Sequence, residues 1–178
     1  MVDRICLVGL DEPESSAIQG RLGGMKVIAH DMLPRILVKD GQLLVESPSG
    51  VRFVPVSKVV FHGIFEEDFD FIAALALWGG PCLPNALGMM DCRLKLPCLV
   101  RALRYTRFGT PRRGYAAPGT AFDSDRERVA KWGNWHCGED KARFDGSWTA
   151  SVPTLFEEFI EGEAVRIVLV GEIGRAHV

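Results

Sequence analysis

FEEFIEGEAVRIVLVG, residues 156–171, sets the reading of this chain. An acidic and apolar turn feeds directly into VRIVLV, a run of branched aliphatic residues that reads as a strand. Working back, RVAKWGNWHCGEDKARF, residues 128–144, places a second strand candidate over 128–132, ending in Lys131 and opening into a loop with Gly133, Asn134 and Gly138. Farther back, PCLPNALGMMDCRLKL, residues 81–96, leads into apolar residues at helical spacing interleaved with Arg93, Lys95, Arg101, Arg104 and Arg107. This predicts a helix over about 91–108, led by Asp91, with Lys95 about one turn in. Between these segments, 109–119 (GTPRRGYAAPG) reads as a Pro/Gly loop, 123–128 as a charged solvated segment and 131–146 as irregular.

The first eighty residues have a different texture. RICLVGL, residues 4–10, is a buried β-run closing on glycine, and MKVIAH, residues 25–30, is a second strand. Ser15 and Ser16 are candidate caps for a short helix over 16–22 between them. β-loop-α-β opens an α/β sheet, so the two strands are expected to be parallel. Residues 35–46 alternate around Asp40 and Gly41, the dipeptide of a tight hairpin. Residues 58–65 read as a strand, 67–78 as a helix stopped by Gly79 and Gly80, and 82–84 as a short extended return. No internal repeat is visible.

Composition removes several classes of function. With 178 residues, 47% hydrophobic and 25% charged, the chain has a globular balance, and its net charge of −2 provides no overall attraction to nucleic acid or an anionic membrane. A polyanion must be held by a few placed cations. Apolar runs fall short of the roughly 20 residues that span a bilayer, and no secretory signal is visible at the start. Five cysteines, an odd number without a CxxC pair, fit a reduced, cytoplasmic setting. Cys92 and Cys98 read as apolar-face residues, and His136 beside Cys137 has no further ligand at metal-binding spacing. The βα turn after Gly9 lacks the glycine spacing of a dinucleotide site, which disfavours a Rossmann oxidoreductase.

Taken in order, these segments resemble the ATP-grasp superfamily, most nearly the carboxylate-amine ligases of the glutathione synthetase and ribosomal S6 modification enzyme (RimK-like) type. The resemblance rests on the return from Gly80 to Asn85, Asp91 to Lys95 (DCRLK), the loop 109–114, the strand 129–132 and the hinge 157–162 (EEFIEG). It implies an α/β architecture: a pre-ATP-grasp domain over 1–80, then the N-terminal, incomplete half of an ATP-grasp fold over 81–172. It also implies ATP and Mg²⁺ as cofactors, and carboxylate and amine substrates, small molecules or peptides, joined through an acyl phosphate. No nucleic-acid or membrane partner is implied, and a homo-oligomer is compatible with it. Carried over by position, Lys95 and Lys131 would hold phosphates, Glu157 would accept from the adenine amino group, and the backbone of Phe159 and Ile160 would meet the adenine edge. A triphosphate needs such local cations, since charge-assisted contacts are about twice as strong as neutral ones.

The chain also departs from the pattern. The loop after Lys131 is rich in tryptophan where the resembled enzymes have glycines, so either Gly133, Asn134 and Gly138 cover the phosphates, with His136 or Lys141 adding contacts, or the loop has a role particular to a subfamily. A ribose-binding acid would fall at Ala164, leaving Glu163 to substitute. Asp123, Asp125, Glu139 and Asp140 lie on the phosphate-cover side, so no metal ligand is expected here, and the magnesium carboxylates and catalytic residues are expected beyond Gly171. The final IGRAHV, residues 173–178, matches an in-frame sequencing adapter and reads as a scar on a truncated, inactive fragment. The alternative to a ligase is a non-catalytic nucleotide-binding or regulatory module that keeps the adenine hinge.

Overall fold

A computed structural model describes residues 3–102, 104–105, 113–133, 139–163, 165–170 and 173–177. The chain divides into two compact units, one built on the residues up to Thr106 and the other on Arg107–Gly133 together with the residues from Gly138 onward.

In the first unit, β1 (Arg4–Val8), β2 (Lys26–His30), β6 (Lys58–Phe61) and β7 (Cys82–Leu83) form a sheet of order β2-β1-β6-β7. Every pairing in it is parallel, as expected for β1 and β2. Alternation explains why residues 5–8 (ICLV) are all apolar, since a strand covered on both faces has no solvent side. Cys6 and Val8 face one core with Val59, Phe61 and helix α2 (Asp68–Trp78), whose Phe71, Ile72 and Leu75 are buried. Ile5 and Leu7 face the other core, against Ile18 and Leu22 at the α1 (Glu12–Arg21) side. A three-stranded antiparallel meander, β3 (Ile36–Lys39), β4 (Gln42–Glu46) and β5 (Phe53–Val56), adds Leu43, Val45 and Val56 to the α2 core. Asp40 and Gly41, both with positive φ, make the tight turn between β3 and β4. Gly9, at φ +79°, sits where a Cβ would meet the His62 carbonyl oxygen at 1.8 Å, so only glycine lets β1 end beside that strand.

Several elements differ from expectation for physical reasons. α1 begins at Glu12, not residue 16, because Asp11 caps it: the Asp11 carboxylate accepts from Glu14 N at 2.8 Å and the Glu14 carboxylate accepts from Asp11 N at 3.2 Å. The strand expected over 58–65 stops at Phe61. The single helix expected over 91–108 is two, α3 (Ala86–Arg93) and α4 (Lys95–Ala102), broken at Leu94, whose φ −98° and ψ 134° are extended.

The second unit is antiparallel. β8 (Gly114–Ala116), β9 (Ala121–Lys131), β10 (Lys141–Thr149) and β11 (Thr154–Glu158) form a sheet of order β10-β9-β11-β8. The segment expected to be solvated, 123–128, lies within β9, and much of the stretch expected to be irregular is β10. Asp123, Lys131, Lys141 and Arg143 fall on one face, while Phe122, Phe144, Phe156 and Trp148 cluster on the other, with Arg128 opposite Phe144: Phe122 stacks on Phe156 at 4.0 Å and meets Phe144 edge-on at 5.3 Å. β12 (Arg166–Val170) pairs antiparallel with β13 (Ile173–His177), so the terminal residues set aside above continue as a strand.

Candidate functional site

Within the second unit, register decides which side chains meet. Lys131 stands opposite Leu155, Glu157 opposite Val129, and β8 pairs Gly114 with Phe156. Directly opposed residues share a face, so Lys131 and Glu157 are diagonal neighbours on one side of the sheet, and Arg113, one residue before Gly114, falls beside Glu157. The contacts agree. Lys131 Nζ donates to Glu157 Oε1 at 2.7 Å, and Arg113 Nε lies 3.4 Å from Glu157 Oε2. Glu157 is the most enclosed of the three, at 17% exposed against 22% for Arg113 and 33% for Lys131. Lys141 stands directly opposite Lys131 on β10, so cations outnumber acids at this end of the face.

Behind this face, Phe156 holds β11 in place. A Cβ at Gly114 would lie 2.1 Å from the Phe156 ring, so the absence of a side chain there lets the aromatic cluster close over β8. The hinge that follows is anchored by Phe159, whose N–H donates to Glu127 O at 3.2 Å while its ring lies 3.6 Å under the Arg143 guanidinium. Ile160 and Glu163 are exposed. Gly133, at φ +59°, is backed by Asp140, whose Oδ2 would be 2.3 Å from a Cβ there, and the Asp140 carbonyl accepts from Trp132 N at 2.9 Å. Gly138, Asn134 and His136 lie outside the described residues.

Lys95 belongs to the first unit and opens α4, so it is not on the same helix as Asp91, as the sequence had suggested. Asn85 caps α3 by accepting from Gly88 N at 3.1 Å. At the other end Arg93 is tied to α2: its Nε donates to Asp68 Oδ1, and its Nη2 donates to Phe65 O at 2.9 Å. Asp68, almost wholly buried, also accepts from Phe65 N at 3.0 Å. This buried pair sets where α3 stops, two residues before Lys95. Cys92 and Cys98 flank the break, and burial, with the neighbouring Cys92 thiol second, pushes the Cys98 thiol up.

Of the eight nucleotide-site candidates, the structure brings Lys131 and Glu157 into direct contact and puts Phe159 on the connection that follows. Asp68, Arg93 and Arg113 were not singled out from sequence. Their contacts cross 25 residues (Asp68 to Arg93) and 44 residues (Arg113 to Glu157), spans for which a single sequence carries no local signal. Among the described residues, no group of three or more His, Cys, Asp or Glu is placed to hold a metal ion, and no helix is long and apolar enough to cross a membrane.

No protein-family model matches the chain, and no curated protein matches it. Among solved structures, it is similar to a crystal structure titled as a RimK domain protein ATP-grasp from Sphaerobacter thermophilus DSM 20745, with a TM-score of 0.57 and 16% identity, over 93% of this chain and 68% of that one. The fold is therefore mixed α/β and ATP-grasp-like.

Proposed function

We propose, from this ATP-grasp-like fold as premise, that the chain binds ATP as the nucleotide-holding part of a carboxylate-amine ligase. The observation that supports the reading is the Lys131–Glu157 pair on adjacent strands, with the Arg113 guanidinium against it. On one sheet face the lysine can donate to a phosphate oxygen, while the carboxylate beside it on the neighbouring strand accepts from an exocyclic amine. Phe159 and Ile160 would border the base. Residues 1–80 are assigned to a pre-ATP-grasp domain and 81–172 to the first part of the ATP-grasp domain.

In the ligase reaction, a substrate carboxylate takes the γ-phosphoryl group to give an acyl phosphate, and an amine then displaces phosphate. Magnesium would neutralise charge between the phosphates. The described residues offer it no acidic cluster. The second reading, a nucleotide-binding module without chemistry, rests on the tryptophan-rich sequence that follows Lys131. Titration of ATP and GTP onto the purified chain tests both readings together: binding should favour ATP and fall at least tenfold in Lys131→Ala, the loss of one charged contact. Equal affinity for the two nucleotides, or an unaffected Lys131→Ala variant, would remove the assignment. Stoichiometric ADP release with Mg²⁺ and an amino-acid mixture, abolished by Lys131→Ala, would show that the chain is catalytic after all.

A further inference from the structure

Arg113 is the unsatisfied member of the charged cluster. Its Nε and Nη1 are buried, yet neither finds a hydrogen-bond acceptor among the described residues. Its Nε lies 3.4 Å from Glu157 Oε2, too far and too poorly aimed for a hydrogen bond, while Lys131 takes Oε1 of the same carboxylate at 2.7 Å. Two cations thus share one acid, with one of them poorly used. Buried N–H groups are costly to leave unpaired, and such an arrangement is retained where the missing acceptor arrives later.

We infer that Arg113 is a standby counter-ion for Glu157, releasing Lys131 to bind the phosphates of an incoming nucleotide. The inference rests on the nucleotide reading above and adds a positioning residue to it. In the ligand-free state Lys131 is neutralised by Glu157. Were it to leave for a phosphate oxygen with no replacement, an enclosed carboxylate would be stranded, which is among the more costly changes a fold can undergo. Arg113 removes that obstacle, since a shift of about 0.5 Å brings its Nε into hydrogen-bond range of Oε2. The cluster then carries one positive charge beyond what Glu157 cancels, and Lys141, opposite Lys131, raises the potential further. Without Arg113 the Lys131–Glu157 pair is neutral and closed, and a polyphosphate has to break it unaided.

The experiment titrates ATP, inorganic tripolyphosphate and adenosine onto the full chain and onto Arg113→Met and Arg113→Lys, with unfolding followed in parallel. Arg113→Met is expected to lose about tenfold or more in affinity for ATP and tripolyphosphate, the effect of one charge-assisted contact, while adenosine is unchanged. Arg113→Lys should recover most of that loss. A ligand-free arm compares thermal midpoints: Lys131→Met should shift little while Arg113 can take Glu157, and Lys131→Met with Arg113→Met should fall by more than the sum of the single variants. Unchanged ATP affinity in Arg113→Met, an equal loss for ATP and adenosine, or additive midpoints would each overturn the inference and leave the nucleotide reading standing. A wild-type chain that binds neither ATP nor tripolyphosphate would overturn both, and so separates the two failures.

Discussion

Replacing Arg93 with methionine should unfold the first unit far more readily than any surface change. Asp68 is about 1% exposed, and its carboxylate is held by the Arg93 Nε–H and the Phe65 N–H. Removing the guanidinium leaves a buried anion with a single backbone donor and deprives the Phe65 carbonyl of the Arg93 Nη2–H. Stranding one partner of a buried pair costs about 3–5 kcal/mol. A unit of this size has about 5–15 kcal/mol in all, so about a fifth or more of its stability is at stake. With a urea dependence of about 1–3 kcal/mol per molar, the midpoint should fall by about 2 M. Circular dichroism at 222 nm reads this unit, because α1 to α4 all lie between Glu12 and Ala102. Adding Asp68→Asn to Arg93→Met should restore much of the loss, since the amide is neutral and still accepts from Phe65 N–H. Were Arg93→Met to cost under about 1 kcal/mol, or Asp68→Asn to restore nothing, the pair would not be holding α3 against α2 as the geometry requires.

Gly9→Ala should cost more than a helix-propensity change, because a Cβ would strike the His62 carbonyl oxygen and the φ of +79° disfavours any side chain; a loss of more than about 1 kcal/mol in the unfolding free energy from urea titration checks it. Gly114→Ala should displace the Phe156 ring from Phe122 and cost about 1–3 kcal/mol by overpacking, seen as a loss of near-ultraviolet aromatic dichroism together with weaker ATP binding. Burial pushes the Cys6 thiol up to about 12 and the Cys82 thiol up to about 11, against 9.0 for the exposed group. The native state then holds these protons longer than the unfolded chain, so their contribution is fully present below pH 9 and is lost as pH rises toward 11 and 12; Cys6→Ala should flatten that part of the stability profile. At pH 8 iodoacetamide should label exposed Cys92 well before Cys6 or Cys82, and equal rates for the three would show that the burial assigned to Cys6 is wrong.

What could be read from sequence was what repeats locally. ICLV in β1 and VIA in β2 announced strands through their short apolar runs on either side of a helix, and Asp40-Gly41 announced its turn because few other dipeptides accept two positive φ values. The Asp11 cap was legible in principle, since Asp11 and Glu14 have the spacing of a capping box, but the neighbouring serines competed for the same role. β9 and β10 were hidden because their solvent face carries Asp, Glu and Arg, and their apolar face is built from Phe122, Phe144 and Trp148, spread over 27 residues. The break at Leu94 was hidden too, since apolar spacing runs through it and the pull of Asp68 on Arg93 comes from another helix. In the candidate site, Lys131 and Glu157 were reached through segment order, whereas Arg113 needed the β8–β11 register, which only the folded chain contains.

The place of β1 in its sheet bears on how this chain is made. It lies between β2 and β6, so β1 is completed by partners made after it, whose residues begin at Lys26 and at Lys58. At about 5–20 residues per second, RICLV waits roughly 3–10 s between its own synthesis and that of Phe61. During that interval one edge of the most apolar strand in the unit has no neighbour, while the β3–β4–β5 meander, made of adjacent hairpins, can already close. The nascent chain therefore carries an open strand edge until Phe61 has been made, and a chaperone that binds short extended apolar segments would find residues 4–8 there.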